Sequence, residues 1–340
     1  MAAPKTSAYA DLLNLVNGYQ VSQAIYAAAS LGIADHLRDT ARGVVELASL
    51  TTCHPGALYR LLRALAAVGV FHEDENQKFS LTEMGECFRS DSVTPMSGWA
   101  AYIGRPYHWQ SWGHLLHSVR TGDVAFQDLY GQSVWDFRAV DPEESAIFDR
   151  AMTTNSRNTL QAVVDAYDFS QFRHVADIGG GQGHLLAGIL SAHPQLRGTL
   201  FDQPHVVAPA KEVLARHGLS ERCTIVPGSF FETAPAGADA YLLKSIVHDW
   251  DDDEAIAILK VCRRAMSADA KLLLIERIIG RPNESSMNKF SDLNMLVMLG
   301  GRERTSQQYS DLCQAAGFRL RRVVQAGMYF GIIEAEPISM

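Results

Sequence analysis

A histidine, a set of acidic residues and a run of glycines are the parts of this 340-residue sequence equipped for chemistry. His248 sits in Leu242-Leu243-Lys244-Ser245-Ile246-Val247-His248-Asp249-Trp250, just past an apolar segment. Glu276 closes a second apolar run that begins at Leu272, and Glu303 lies in Gly300-Gly301-Arg302-Glu303-Arg304-Thr305. A carboxylate on one imidazole nitrogen fixes the tautomer and leaves the other nitrogen to take a proton. Either glutamate could equally be a surface carboxylate paired with Arg277, Arg302 or Arg304, and a lone loop histidine is most often structural. Asp251-Asp252-Asp253 has the look of a metal cluster. It reads better as an N-cap and first helical turn before Ile256.

The second group is Val175-Ala176-Asp177-Ile178-Gly179-Gly180-Gly181-Gln182-Gly183, with a helical pattern over His184–Ala192. Glycines after a strand let the backbone turn tightly and approach a ligand. The helix that follows turns its N–H groups and positive dipole end toward that ligand. Asp202 falls 19 residues after Gly183, where an acid accepts hydrogen bonds from both hydroxyls of a ribose. A ligand-free turn is the plain alternative. Two ligand classes fit: a nicotinamide dinucleotide and S-adenosylmethionine. Gly179, Gly181 and Gly183 are spaced G-x-G-x-G, and His184 stands where the dinucleotide fingerprint wants glycine or alanine. A pyrophosphate needs that close approach. The sulfonium cofactor has no phosphate, so the spacing favours it.

These residues need a scaffold. From about residue 170, short apolar runs alternate with helical stretches. His174–Ile178, Thr199–Asp202, Thr224–Pro227, Ala240–Lys244, Leu272–Glu276 and Met328–Ile333 are the expected strands. Such alternation predicts an α/β domain with a parallel, doubly wound, Rossmann-like sheet over 166–340. Ligands bind such sheets at the carboxyl ends of the strands, where Gly179, Asp202 and His248 all fall. Residues 1–100 read differently. Apolar positions recur at three and four over 11–40, a helix is expected over Ala57–Ala67, and Val70–Glu73 with Gln77–Leu81 reads as a hairpin. This is a winged-helix order. Residues 101–165, aromatic-rich and helical, are expected to bridge to the second domain. Trp109, Trp112, Phe126, Tyr130, Trp135, Phe137 and Phe148 are its candidates for an apolar slot, most of them ordinary core.

Composition narrows the function. Hydrophobic residues make up 47%, charged residues 20%, and the net charge is −8. That disfavours nucleic acid or an anionic membrane as the main partner. The first 100 residues carry seven Lys/Arg against ten Asp/Glu, and the second helix of the winged-helix pattern offers only Arg60 and Arg63. A DNA-binding role would lack the phosphate-neutralising charge that supplies most such affinity. Five scattered cysteines have no metal-ligand spacing, and no metal site is expected. They read as reduced thiols in a cytoplasmic protein. Met1–Ala10 has no signal-peptide pattern, and no run of about 18 apolar residues suggests a membrane span.

Taken together, Asp177–Gly183, Lys244–Trp250 and Gly300–Thr305 resemble the S-adenosylmethionine-dependent class I O-methyltransferases. That family includes plant caffeic acid and flavonoid enzymes and bacterial natural-product O-methyltransferases. The resemblance runs from the winged-helix region to Gly331. It implies a homodimer, paired by the N-terminal domain, that methylates a hydroxyl of a small phenolic acceptor and releases S-adenosylhomocysteine. It implies that His248 is the general base, flanked by Glu276 and Glu303. Gly179, in the loop that includes Gly181, would face the methionine moiety, Asp202 the ribose and Phe230 the adenine. Lys244 would lie along the cofactor and Ser156 near its polar end. Met152, Asn155, Asn294 and Met298 would line the acceptor pocket, and residues near Tyr9 would reach the partner's pocket. Ser229 departs from the pattern, since the family usually has there an acid that contacts the adenine amino group. Relatives that hydroxylate or rearrange tend to lose the histidine, which this chain keeps.

Overall fold

The computed structural model describes residues 7–284 and 286–338, without the side chains of Asn158 and Ser286. Of the expected signal-free N-terminus, residues 1–6 lie outside the described residues. The chain divides into two compact units. One comprises Met1–Trp109 with Asp141–Asn155, the other Gln110–Val140 with Ser156–Met340. The stretch 101–165 is thus shared between both, and its longest helix, Pro142–Ala166, passes from one to the other between Asn155 and Ser156.

The first unit opens with helices Ala8–Val16 and Gly18–Ser30. Gly32, with φ 62°, turns the chain into the short helix Ile33–His36. Helix Val44–Leu50 follows, then Pro55–Ala67, which starts two residues earlier than the apolar pattern suggests. The reason is local: the His54 side chain caps the Ala57 N–H, and Pro55 needs no hydrogen bond at the first helical position. The expected hairpin is present as β2 (Phe71–Glu73) and β3 (Lys78–Leu81), and β3 also pairs with β1 (Arg42–Gly43). Leu47, Leu58, Leu62, Leu65 and Phe79 close this core.

The second unit is built on seven strands. They are β4 (His174–Ile178), β5 (Arg197–Asp202), β6 (Cys223–Pro227), β7 (Ala240–Lys244), β8 (Lys271–Arg277), β9 (Phe318–Ala326) and β10 (Phe330–Pro337). Their order is β6-β5-β4-β7-β8-β10-β9. Alternate residues split between two cores, one on each face. Val175, Leu242 and Leu273 pack on one side, and Ala176, Leu243 and Leu274 on the other, as the two-residue period of a strand requires. The chain runs outward from β4 to β6, then returns to place β7 on the other side of β4. The topological switch point therefore lies between β4 and β7, where open α/β sheets bind ligands.

The expectation of a parallel sheet needs correction. The pairs β4–β5, β4–β7, β5–β6 and β7–β8 are parallel, but β10 runs antiparallel to both β8 and β9. Strand β9 has no counterpart in the sequence reading. It is an edge strand carrying Arg319, Arg321 and Arg322, and charge on an exposed edge blunts the apolar alternation by which strands are recognised. Met328 belongs to the turn before β10 rather than to the strand.

Candidate active site

Two loops at the switch point bring the candidate residues together. The first leaves β4 at Gly179, whose φ is 70°. A side chain there is disfavoured twice: the left-handed backbone strains it, and its Cβ would come within 2.5 Å of Ile246 Cδ1, which would have to shift. The loop is tied to the next strand. Gly179 N–H donates to Phe201 O at 2.8 Å, and Gly181 N–H to Asp202 Oδ2 at 2.8 Å. Gly181, φ 60°, faces open space. Asp202 ends β5, with its Oδ1 accepting the Gln203 N–H at 2.7 Å. Asp177 lies beneath the loop, buried, and its Oδ2 has no hydrogen-bond partner. Burial, with the like charge of Asp202, raises its carboxyl to about 7 against the attraction of Lys244. The half-buried Phe230 ring lies beside Gly179, within 3.4 Å of where a Cβ would stand, and edges against Trp250. Ser229 caps a tight turn. Its carbonyl accepts the N–H groups of Glu232 and Thr233, and its Oγ accepts that of Phe231 at 3.3 Å. Lys244 ends β7 over the Phe330 ring, and desolvation lowers its ammonium to about 8 despite the nearby Glu276.

The second loop leaves β7. Ser245 adopts φ 54°, a left-handed conformation costly for a residue with a Cβ. Val247–Asp249 then forms a single 3₁₀ turn carrying His248. Glu276, at the end of β8, accepts the N–H groups of Ile246 at 3.0 Å and Val247 at 2.8 Å through Oε1. Its Oε2 lies 3.2 Å from His248 Nδ1. Glu303 places Oε1 and Oε2 at 3.2 and 3.3 Å from the same nitrogen. Glu303 is itself held by the Ser291 hydroxyl at 2.7 Å, and its N–H donates to Asp292. Both glutamates therefore face Nδ1. The other nitrogen, Nε2, points away from them, 3.3 Å from Asp249 Oδ1.

Electrostatics follow from this crowding. Burial opposes charge on the His248 ring, but Glu303, Glu276 and Asp249 outweigh it and hold the ring well above 6.5. Burial raises Glu276 to about 7, helped by Glu303 and opposed by His248 and the two backbone donors. For Glu303 burial again works upward, but His248, Ser291 and Arg277 prevail and lower it.

Several residues support the site in ways the sequence did not indicate, Arg304 having been read there only as a possible partner of a glutamate. Arg304, buried, donates to the carbonyls of Val247, Trp250 and Arg302 and clamps Asp252, so it fixes the turn that carries His248. Gly301 lies flush against that turn: a Cβ would stand 2.0 Å from His248 O and 2.4 Å from Asp249 C. Both belong to the motif that contains Glu303, which was the available signal. Asp249 is a direct neighbour of His248 in sequence, whereas the strained Ser245 has no signature in residue type. Among the acceptor candidates, Asn294 accepts from the Trp112 indole at 2.9 Å, and Met298 is buried. Met152 and Asn155 belong to the first unit and Ser156 to the second. Asp251 caps helix Asp252–Ala265 through Glu254 N–H, as expected.

The chain is similar to known proteins along most of its length. An O-methyltransferase domain model matches residues 112–319, and an O-methyltransferase dimerisation domain matches 13–91. The chain belongs to the O-methyltransferase family. It is 42% identical to a phenazine O-methyltransferase of Lysobacter antibioticus, covering 96% of each chain. To the mitomycin biosynthesis 6-O-methyltransferase of Streptomyces lavendulae it is 39% identical, covering 96% of this chain and 93% of the relative. A neocarzinostatin-biosynthesis O-methyltransferase, solved with S-adenosylmethionine and 2-hydroxy-5-methyl naphthoic acid, superposes with TM-score 0.79 at 35% identity over 94% of this chain and 96% of that one. Other relatives are an 8-amino-8-demethylriboflavin N,N-dimethyltransferase and an aclacinomycin 10-hydroxylase, at 37% and 35% identity. The enzyme is an S-adenosylmethionine-dependent O-methyltransferase of the class I fold. Its loop suits the cofactor: Gly181 leaves open space, Asp202 ends its strand beside it, and the buried Asp177 keeps one oxygen unpartnered. Among the described residues no helix is long and apolar enough to cross a membrane.

Proposed function

We propose that the enzyme methylates a hydroxyl of a small aromatic acceptor, with His248 as general base. The supporting observation is that Glu276 and Glu303 both face Nδ1, which favours the proton on that nitrogen, so that Nε2, 3.3 Å from Asp249 Oδ1, is the atom that would take the acceptor's proton. When bound, S-adenosylmethionine supplies an activated methyl carbon and leaves as S-adenosylhomocysteine. The protein's task is then to position the acceptor and accept its proton. A phenol, pKa about 10, is mostly protonated at neutral pH. His248 Nε2 would take its O–H proton, and the two glutamates would stabilise the resulting imidazolium.

Gly179 and Gly181 would hold the methionine moiety, Asp202 the ribose, Phe230 and Ser229 the adenine, with Lys244 and Ser156 alongside. Met152, Asn155, Asn294 and Met298 would meet the acceptor. The first unit, in this reading a winged-helix fold, pairs two copies, and residues near Tyr9 serve the partner's pocket. The relatives acting on phenazine, mitomycin and naphthoate compounds support an aromatic acceptor, and the N,N-dimethyltransferase keeps an aromatic amine open as the second reading. The test is a panel of hydroxylated and amino-substituted phenazines, quinones and naphthoates incubated with the methyl donor. Mass spectrometry should show a gain of one methyl on oxygen. Turnover confined to amines, or none across the panel, overturns the hydroxyl reading.

A further inference from the structure

We propose that His114, His117 and Asp128 form a binding site for a divalent transition metal of the zinc type, separate from the catalytic histidine. The three side chains offer two imidazole nitrogens and one carboxylate, with ligand atoms all within 4.8 Å of one another. Helix Pro106–Gly113 ends at His114, and helix Leu115–Thr121 carries His117 one turn on. Gly122, at φ 83°, reverses the chain, and helix Ala125–Tyr130 returns Asp128 to face both rings.

The geometry goes beyond coincidence of residue type. The two rings are stacked, 12° between planes and 4.8 Å between centroids, so one of them must turn to bring both in-plane Nε2 lone pairs onto a common ion. His114 Nε2 is 2.8 Å from Asp128 Oδ2, and His117 Nε2 is 3.8 Å from Oδ1. A tetrahedral zinc with bonds of about 2.0–2.1 Å sets its ligand atoms about 3.3 Å apart. The two imidazole-to-carboxylate separations straddle that value. His117 Nε2 is moreover buried and has no hydrogen-bond partner. A buried nitrogen left unpaired is costly, and a cation bridging it to Asp128 removes that cost.

The donor set selects the ion. Imidazole suits zinc, nickel and copper, whereas magnesium and calcium prefer oxygen ligands in greater number. Three protein ligands leave a fourth position for water. The hairpin that carries them packs on helix Ser286–Met298, which bears Asn294 and Met298. A bound ion ties together two of the short helices that support that element.

The inference does not depend on the methyl-transfer reading, and binding is its readout. Full-length, tag-free enzyme, stripped with chelator, is titrated with Zn²⁺ by calorimetry and, in parallel, with Mg²⁺. One Zn²⁺ should bind per chain, raise the thermal midpoint and leave Mg²⁺ without effect. Asp128→Asn and His117→Gln should each weaken Zn²⁺ binding at least about tenfold, and circular dichroism of the metal-free variants reports whether they fold. His248→Ala separates this site from the second histidine–carboxylate cluster and should keep the Zn²⁺. Absence of a stoichiometric site overturns the proposal, leaving an ordinary histidine–aspartate hydrogen bond. So does binding that survives both hairpin substitutions, or binding abolished by His248→Ala.

Discussion

At the scale of single residues, the site is a balance of charges around one imidazole. His248→Ala should lower kcat by about 10²–10⁴-fold, the usual worth of a general base. Donor affinity should hold, because the base acts on the acceptor. Stopped-flow turnover alongside donor titration checks this, and equal turnover in both proteins removes His248 from the mechanism. The pH dependence follows from the ring's surroundings. Against burial, Glu303, Glu276 and Asp249 hold it well above 6.5, which favours the imidazolium in the free enzyme. A base must first lose that proton, and kcat/KM should rise with pH along a limb centred well above 6.5. Glu303→Gln removes one negative charge and moves the limb to lower pH. It also lowers the alkaline plateau, since imidazolium loses part of its stabilisation in the transition state. An unmoved limb would reduce Glu303 to a spacer. Adenine recognition is the third case. Ser229 caps a turn with its oxygens, a role aspartate also fills, so Ser229→Asp should fold normally. It should tighten donor binding by up to about tenfold, near 1 kcal/mol for one improved hydrogen bond. Phe230→Ala should weaken it more than Ser229→Ala does. Calorimetry of the three variants decides, and an unchanged Ser229→Asp means the residue does not face the adenine.

Between residues and fold stand the short elements that bring remote positions together. Glu303 is 55 residues from His248, and what joins them is a glycine. At Gly301 a Cβ would overlap the backbone of His248 and Asp249, and backbone cannot step aside as a side-chain tip can. Gly301→Ala should therefore push Glu303 away and remove most activity, with about 1–3 kcal/mol of lost stability from overpacking. Gly181→Ala is the useful contrast. Its φ of 60° costs about 1–2 kcal/mol of strain, but it meets no protein atom. Donor affinity should suffer there, with the His248 cluster intact. Thermal melts paired with turnover and donor titration separate the two, and a fully active Gly301→Ala would mean the contact relaxes freely. This is also where sequence reasoning reached its limit. His248, Glu276 and Glu303 were visible because apolar strands and a glycine motif mark strand ends. Arg304 was visible only as one of several arginines, since its reach to three carbonyls depends on a turn not written in residue types. Ser245 gave no sign, because serine rarely adopts φ near +54° and nothing local asks for it. Strand β9 hid behind its arginines, and His117 among aromatic helices, its partner Asp128 a reversal away.

For the whole molecule, the decisive feature is a helix that keeps its apolar face exposed. Helix Ala8–Val16 buries none of its residues, yet Leu12, Leu15 and Val16 are 61%, 78% and 63% exposed. Single exposed apolar residues are ordinary, whereas a cluster on one element marks an interface. The helix overlaps the start of the family's dimerisation domain at residue 13. Two copies that cover these faces remove apolar surface worth about 25 cal/mol per Å² before association costs. We expect twice the chain mass by light scattering at micromolar concentration. Leu12→Glu combined with Leu15→Glu should halve that mass. The change should not unfold the chain, because these side chains support no core of their own. The monomer should keep its affinity for the methyl donor, whose loop belongs wholly to the second unit. Its methyl transfer should fall, because in the proposed assembly residues near Tyr9 complete the partner's acceptor site. Donor binding and turnover thus part company in the monomer, which a general loss of fold cannot produce. A single-chain mass for the unmodified enzyme, or full turnover by the double variant as a monomer, defeats the assembly reading and leaves the chemistry at His248 untouched.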